Sequence, residues 1–311
     1  MFPESAAPEP LPALPSTPPA AEIRPRAIAP LWHTLLLVAA IAAYSFWGAQ
    51  HWHPAALDPL APVPHGAAGK QHINNGADPL RLLRYALSAG LELLIVAWVA
   101  LGLRLRRVPF RSLFGNIPCG LNAITLEAGI AALFWLSSMT VLVVLALVWQ
   151  GVATQVYHHQ AQKQQAHSAS PSSPKPESPE KKQLETVREL LDLAPANGLE
   201  IAAWGALCLI VGFSEELVFR GYLQSQGIAL LHRIPLGVLL SAIVFGFAHG
   251  YQGLRGMCLI GAFGAMFSII TLMRRNLFPA MLAHAWHDFL MGLLLALVRA
   301  THMIDKLLAS S

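Results

Sequence analysis

Residues 201–223 read IAAWGALCLIVGFSEELVFRGYL. A mainly apolar run of about 20 residues is long enough to span the hydrocarbon core of a bilayer. Two adjacent glutamates, Glu215 and Glu216, and one arginine, Arg220, interrupt this run. Each ionisable group costs roughly 2.5 to 3.5 kcal/mol inside a bilayer, so such groups are usually retained for function. The stretch therefore predicts a membrane helix that carries a polar site.

The whole chain has the composition of a membrane protein. Of its 311 residues, 55% are hydrophobic and 12% are charged, against roughly 25% charged in an ordinary soluble domain. A soluble enzyme is therefore excluded, and the net charge of +4 is expected to set membrane orientation rather than to bind nucleic acid. We predict an all-α, polytopic helical bundle of about seven transmembrane helices, from apolar runs at 31–48, 85–103, 124–149, 201–223, 236–249, 256–273 and 277–298.

Two polar stretches divide the chain. Residues 1–30, rich in proline and alanine, predict a disordered tail. Residues 151–182, rich in Gln, His, Ser, Pro and Lys, predict a linker between a first block, 31–150, and a second block, 183–311. The first block holds about three spans. The second begins with a short amphipathic helix at 184–193, expected on the membrane surface, and continues with about four spans.

Basic residues follow the second, fourth and sixth spans, which places these loops on one side of the membrane. By the positive-inside rule that side is cytoplasmic. We therefore expect a multi-pass protein of the cell membrane with a cytoplasmic N-terminus and the 151–182 stretch outside. The basic loop residues are Arg104, Arg106, Arg107, Arg111, His232, Arg233, Arg274 and Arg275.

The fourth span contains the densest group of charges. Glu216 and Arg220 are four residues apart, acid first, which favours an ion pair within the helix. Glu215 lies about 100° further round the helix, so it need not share Arg220 and is free to face the interior of the bundle. The pair is interpreted as supporting and Glu215 as the candidate base.

Two later spans contribute the remaining candidates. His249 ends the fifth span, and His284, His287 and Asp288 lie in the seventh. His284 and Asp288 are four residues apart, so either Asp288 orients the His284 ring or both side chains point into one cavity. The spacing also leaves His287 as a partner for Asp288, and we favour His284. Single carboxylates in the second and third spans, such as Glu92, are interpreted as interhelical hydrogen-bonding groups outside the site.

Three motifs occur in order in the second block. They are EExxxR at 215–220, FxxxH at 245–249 and HxxxD at 284–288. Together they resemble the CPBP family, which groups type II CAAX prenyl endopeptidases with bacterial immunity and bacteriocin-processing proteins. The resemblance covers roughly residues 195–298 and favours a bacterial cytoplasmic membrane.

The resemblance implies a role for each motif residue. Glu215 and His249 would activate the attacking water, and His284 and Asp288 would stabilise the oxyanion. The prenyl endopeptidases typically have Asn where this chain has Asp288, and an aspartate donates a hydrogen bond only when it is protonated. This departure leaves CAAX substrates open. Glu216 and Arg220 would be supporting residues.

The chemistry of the water-activating group stays open at this stage. Glutamate, histidine and aspartate side chains from three helices also suit Zn²⁺ with an open water position, although no HExxH helix is present. The family has been described both as metalloproteases and as glutamic proteases. We expect a site without a metal or other cofactor.

These residues favour an intramembrane endopeptidase whose partners are the lipid bilayer and a membrane-embedded or lipidated, including prenylated, protein or peptide. An alternative is a catalytically inactive membrane scaffold or bacteriocin-immunity-type protein with the same fold. A transporter is a third reading, because buried carboxylates are typical of transporters too. The two halves show no inverted repeat, which counts against a transporter.

Overall fold

The regular secondary-structure elements of the described residues are helices. The structure is a computed structural model that describes residues 26–51, 77–167, 179–301 and 303, so most of the predicted disordered tail lies outside the described residues. Within them the α-helices, in chain order, are α1 Leu31–His51, α2 Pro79–Leu105, α3 Leu121–His167, α4 Pro179–Leu191, α5 Gly198–Glu215, α6 Gln224–Leu231, α7 Ile234–Ala248, α8 Gly253–Arg274 and α9 Phe278–Ala300.

Three shorter elements connect these helices. A π-helix, Glu216–Leu223, joins α5 to α6, so that Gly198–Leu231 form one continuous helical segment. Two 3₁₀-helices, Phe110–Phe114 and Gly250–Gln252, lie between α2 and α3 and between α7 and α8. The first charged motif therefore lies inside a long helix rather than at its end.

The helices account for all seven predicted spans. Two apolar helices are short, Leu31–Trp47 and Ile234–Ala248. The outer surface carries many large apolar side chains, which suits a lipid environment. The all-α, polytopic membrane fold is confirmed. By length and composition, the segments long enough to cross a membrane are Pro79–Leu105, Leu121–Gln162, Gly198–Leu231, Gly250–Arg274 and Phe278–Ala300.

Local sequence determines where α2 and α5 begin. Asp78 caps α2 by accepting a hydrogen bond from the Leu80 N–H at 3.0 Å. Asn197 caps α5 in the same way, through the Glu200 N–H at 3.1 Å. The buried Glu200 carboxylate accepts from Arg81 at 2.6 Å and from the Asp78 N–H at 2.7 Å. These bonds tie the starts of the two helices together.

Helix α3 is longer than the sequence analysis predicts. The predicted span ends at 149, but the helix continues to His167 through the first part of the predicted 151–182 linker. These polar residues include several Gln and Ala, which are good helix formers, and no proline before Pro171. The helical propensity of the polar segment therefore extends the span. The next residues, 168–178, lie outside the described residues.

Helix α4 is the predicted amphipathic helix. It begins five residues before the predicted 184–193 segment and ends two residues before its end. Near its start, the Glu180 carboxylate accepts hydrogen bonds from Gln150 at 2.9 Å and Thr154 at 3.2 Å. These contacts attach α4 to the polar continuation of α3.

Small residues let neighbouring helices in the second block approach closely. A Cβ added at Gly212 of α5 would lie 2.8 Å from the Met281 carbonyl oxygen and the Ala285 nitrogen of α9. A Cβ added at Gly246 of α7 would lie 3.2 Å from Gly261 of α8. Close backbone approach of this kind is typical of membrane bundles.

Helices α1 and α2 hold the end of the π-helix. The Tyr222 hydroxyl, fully buried, lies 2.9 Å from His33 Nδ1 and 2.8 Å from Thr34 Oγ1. The second ring nitrogen of His33 donates to the Trp98 carbonyl oxygen at 2.9 Å, and the two rings stack with centroids 4.5 Å apart. The N-terminal block is thus packed directly against the segment that carries the first motif.

Candidate active site

The π-helix determines how the first motif is presented. A π-turn holds one more residue than an α-turn, and such turns occur frequently at functional sites. The Phe219 carbonyl oxygen accepts from the Gln224 N–H five residues later and also from the Ser241 hydroxyl of α7 at 2.7 Å. Helix α7 therefore supports the widened turn from outside.

Glu216 is the centre of a fully buried charged group. Its Oε1 accepts hydrogen bonds from Arg220 Nη1 and from His284 Nδ1, both at 2.8 Å. The side chains of Glu216 and Arg220 are 0% and 1% exposed. The ion pair predicted from the sequence is present, and it includes a third member from α9. Charge-assisted bonds of this length are among the strongest in proteins.

Aromatic rings enclose the remaining surface of Arg220. Its guanidinium carbon lies 4.2 Å from the centroid of the Phe245 ring and 5.4 Å from that of Phe267. Arg220 Nη2 also donates to the Gly264 carbonyl oxygen at 3.3 Å. A buried cation over aromatic faces gains cation–π energy. Arg220 thus joins the π-helix to α7 and α8.

His284 connects this buried group to the other motif residues. Because Nδ1 bonds to a carboxylate, Nδ1 carries the proton and Nε2 is the atom left for chemistry. Nε2 lies 3.7 Å from Glu215 Oε2 and 3.7 Å from Asp288 Oδ2. The ring is therefore oriented by its hydrogen bond to Glu216. Of the two arrangements that the spacing left open, orientation of the ring by Asp288 is not the one present. The 3.7 Å separation is too long for a hydrogen bond.

The neighbouring histidine has a different environment. The His287 ring packs against Phe263 with centroids 4.9 Å apart. Its Nδ1 is buried and has no hydrogen-bond partner among the described residues. Of the two histidines left open by the spacing in α9, only His284 contacts the first motif.

The first and second motifs both contribute residues to the wall of a cavity of about 290 Å³. Glu215 and His249 both line it, together with residues of α1 and α2. His249 Nδ1 donates to the Phe245 carbonyl oxygen at 3.0 Å, so Nε2 of the neutral ring is an acceptor. Glu215 Oε2 is buried without a hydrogen-bond partner among the described residues. The Glu215 carboxylate and the His249 imidazole thus both line one cavity.

The family comparison gives a match to the part of the chain that holds all three motifs. Residues 197–290 match the family model described as type II CAAX prenyl endopeptidase Rce1-like. These residues, which are similar to that family, are called the Rce1-like region below. The match confirms the resemblance to the CPBP family, and the Rce1-like proteins are a protease family, which supports a hydrolase. Neither the curated proteins nor the solved structures match this chain.

One further carboxylate faces the cavity from outside the Rce1-like region. Glu92 of α2 lines the same cavity as Glu215 and His249. Its Oε2 lies 2.6 Å from the Ser214 hydroxyl oxygen, next to Glu215 in the chain. The sequence analysis left Glu92 out of the site because it is a single carboxylate with no motif around it. The signal that the sequence offered is an ionisable residue inside the apolar run 85–103.

A metal centre requires several ligating side chains that surround one point. Among the described residues, no group of three or more His, Cys, Asp or Glu side chains is arranged to hold a metal ion. The Nδ1 atoms of His284 and His249 have hydrogen-bond partners at 2.8 and 3.0 Å, which leaves Nε2 of each ring without such a partner. The steps proposed below use only side chains of this chain.

Proposed function

We propose that this protein is an intramembrane endopeptidase that hydrolyses a peptide bond of a membrane-embedded or lipidated protein or peptide. The observation that carries the proposal is the meeting of the three motifs. Glu215 and His249 line one cavity, while His284 is hydrogen-bonded to Glu216 and faces Glu215. The Rce1-like match supports the same class of reaction.

Water activation is assigned to the two groups that line the cavity. The Glu215 carboxylate and His249 Nε2 both have lone pairs and both residues line the cavity, so either group is able to accept a proton from water as the water oxygen attacks the scissile carbonyl. A positioned general base contributes about 10² to 10⁴ to a rate. We assign the base to Glu215, with His249 holding the same water.

Oxyanion stabilisation is assigned to His284. With Nδ1–H bonded to Glu216, a proton on Nε2 makes the ring a cation next to a carboxylate that it shares with Arg220. Asp288 Oδ2, 3.7 Å from Nε2, favours that protonated form as a nearby negative charge. Asp288 thus acts through His284, a different contribution from the direct donation of an asparagine. An oxyanion donor is worth about 10² to 10³ in kcat.

The cavity walls favour a substrate that enters from the membrane. Apolar residues of α1 and α2, including Leu37, Ile41, Leu91 and Ile95, form much of its lining. Such walls suit the side chains of a membrane segment or the lipid chain of a lipidated peptide, including a prenylated CAAX peptide. We place the enzyme in a bacterial cytoplasmic membrane, with its basic loops and N-terminus in the cytoplasm.

Cleavage by purified protein in detergent tests the proposal. Farnesylated CAAX-type peptides and apolar membrane peptides are incubated with the wild type, Glu215→Gln and the control His287→Leu, each with and without a chelator. The expected result is cleavage by the wild type and by His287→Leu, and a loss of at least about 10²-fold in Glu215→Gln. Chelator is expected to leave the rate unchanged.

Two outcomes would contradict the proposal. Equal rates for the wild type and Glu215→Gln would remove the assigned base. A wild type that cleaves none of the peptides, combined with a cellular phenotype that survives Glu215→Gln, would favour the scaffold or immunity-type function. Loss of cleavage with chelator, restored by Zn²⁺, would keep the protease but replace its mechanism with metal chemistry.

A further inference from the structure

Among the described residues that line the cavity, Glu92 is the carboxylate outside the three motifs. It comes from α2, in the N-terminal block, and shares the cavity with Glu215 and His249. Within the described residues the structure gives Glu92 no ion pair, whereas Glu216 is balanced by Arg220. A carboxylate without a cation is costly at membrane depth unless it is protonated. This environment favours the neutral acid.

The hydrogen bonds around Ser214 indicate where that proton lies. The Ser214 oxygen is 2.6 Å from Glu92 Oε2 and 2.8 Å from the Ile210 carbonyl oxygen, both within hydrogen-bond distance. A serine hydroxyl has a single proton to donate. If the Ser214 hydroxyl donates to both oxygens, its single proton is shared in one three-centre bond. If Glu92 carries a proton and donates it to Ser214, which then donates to Ile210, both contacts are full two-centre hydrogen bonds, and the 2.6 Å separation favours this arrangement.

We propose that Glu92 is a catalytic residue that holds a proton and donates it to the leaving amine nitrogen. The inference rests on the proposed peptidase function and adds a second acid–base group to it. Glu215 would then be the base for water, and Glu92 the acid for the leaving group. Two carboxyl groups in different environments are a common way to divide these two tasks.

The step balances in atoms and charge. The water oxygen bonds to the scissile carbon, its proton passes to Glu215, and the carbonyl electron pair moves to the oxygen held by His284. The electron pair on that oxygen then re-forms the C=O bond of the carboxylic acid product as the C–N bond breaks, and the C–N pair stays on nitrogen, which takes the proton of Glu92. The proton on Glu215 then returns to Glu92, so that one turnover consumes one water and no other reactant.

Amide and ester versions of one peptide test this role. An alkoxide leaves with less need of a proton than an amine does, so a lost acid slows amide cleavage more than ester cleavage. In Glu92→Gln we expect kcat for the amide to fall by about 10²-fold or more and kcat for the ester by less than tenfold. Glu215→Gln should slow both, and Ser88→Ala, a control on the same cavity wall, should slow neither.

The outcomes separate this inference from the proposed function. In Glu92→Gln, amide and ester rates that are unchanged or that fall equally would overturn the donor role. The peptidase function would still be supported if Glu215→Gln slows both reactions. A wild type that cleaves neither substrate overturns both. Infrared difference spectra of the wild type and Glu92→Gln give a readout without activity. The C=O band of a protonated acid should disappear in the variant, and its absence from the wild type would refute the inference.

Discussion

Replacing Gly212 by alanine should loosen the contact between α5 and α9 that aligns the site. The new Cβ would lie 2.8 Å from two backbone atoms of α9, Met281 O and Ala285 N. Ordinary contacts of carbon fall at about 3.5 to 4.0 Å, so α9 must retreat by roughly 0.7 Å. Overpacking of this kind costs about 1 to 3 kcal/mol of unfolding free energy. Helix α9 also carries His284, so the 2.8 Å hydrogen bond between His284 Nδ1 and Glu216 should lengthen.

The assay combines unfolding by denaturant in detergent with peptide cleavage. A misplacement near 1 Å is able to cost about 10²-fold in rate, so we expect Gly212→Ala to lose roughly 10- to 100-fold in kcat. The matched control is Gly129→Ala in α3, where an added Cβ meets nothing within 4 Å. That change should stabilise the protein by about 0.4 to 1 kcal/mol. Equal stability and activity of the two variants would refute the packing argument.

Three further substitutions follow from the buried charges. Glu216→Ala should lower the unfolding free energy, measured by denaturant titration, by about 3 to 5 kcal/mol because it leaves the charge of Arg220 uncompensated. Adding Arg220→Met should recover part of that loss, whereas additive losses of the two substitutions would argue against the ion pair. His284→Phe should abolish peptide cleavage while His287→Leu retains it, and equal activities of these two variants would contradict the assignment. Glu200→Ala removes the acceptor of two backbone N–H groups and one arginine, and should lower the unfolding free energy by about 3 to 5 kcal/mol. An unchanged unfolding free energy would show that these hydrogen bonds between the starts of α2 and α5 do not stabilise the fold.

Sequence reasoning was sufficient for the membrane fold. Apolar runs near 20 residues long have few stable forms in a bilayer other than helices, because every backbone polar group must be paired internally. The Glu216–Arg220 pair was also predictable, since residues four apart face each other on a helix. The three motifs together located the Rce1-like region.

Other features depend on contacts between helices that the sequence does not show. The bond between Glu216 and His284 joins residues 68 positions apart, and the local spacing pointed to Asp288 instead. Glu92 reaches the cavity only because α2 packs against α5. The π-helix depends in part on Ser241, which supports the widened turn from α7. Each of these is a property of packing, whereas periodicity reports only one helix at a time.

The unusual length of α3 has a practical consequence. At about 1.5 Å per residue its 47 residues extend roughly 70 Å, more than twice the ~30 Å hydrocarbon core of a bilayer. If the first part of α3 crosses the bilayer, its last turns project tens of ångströms beyond the lipid. A rigid protein fused in helical register after Gln160 would therefore stand clear of the detergent micelle, as a marker for aligning particles of this small protein by electron cryomicroscopy.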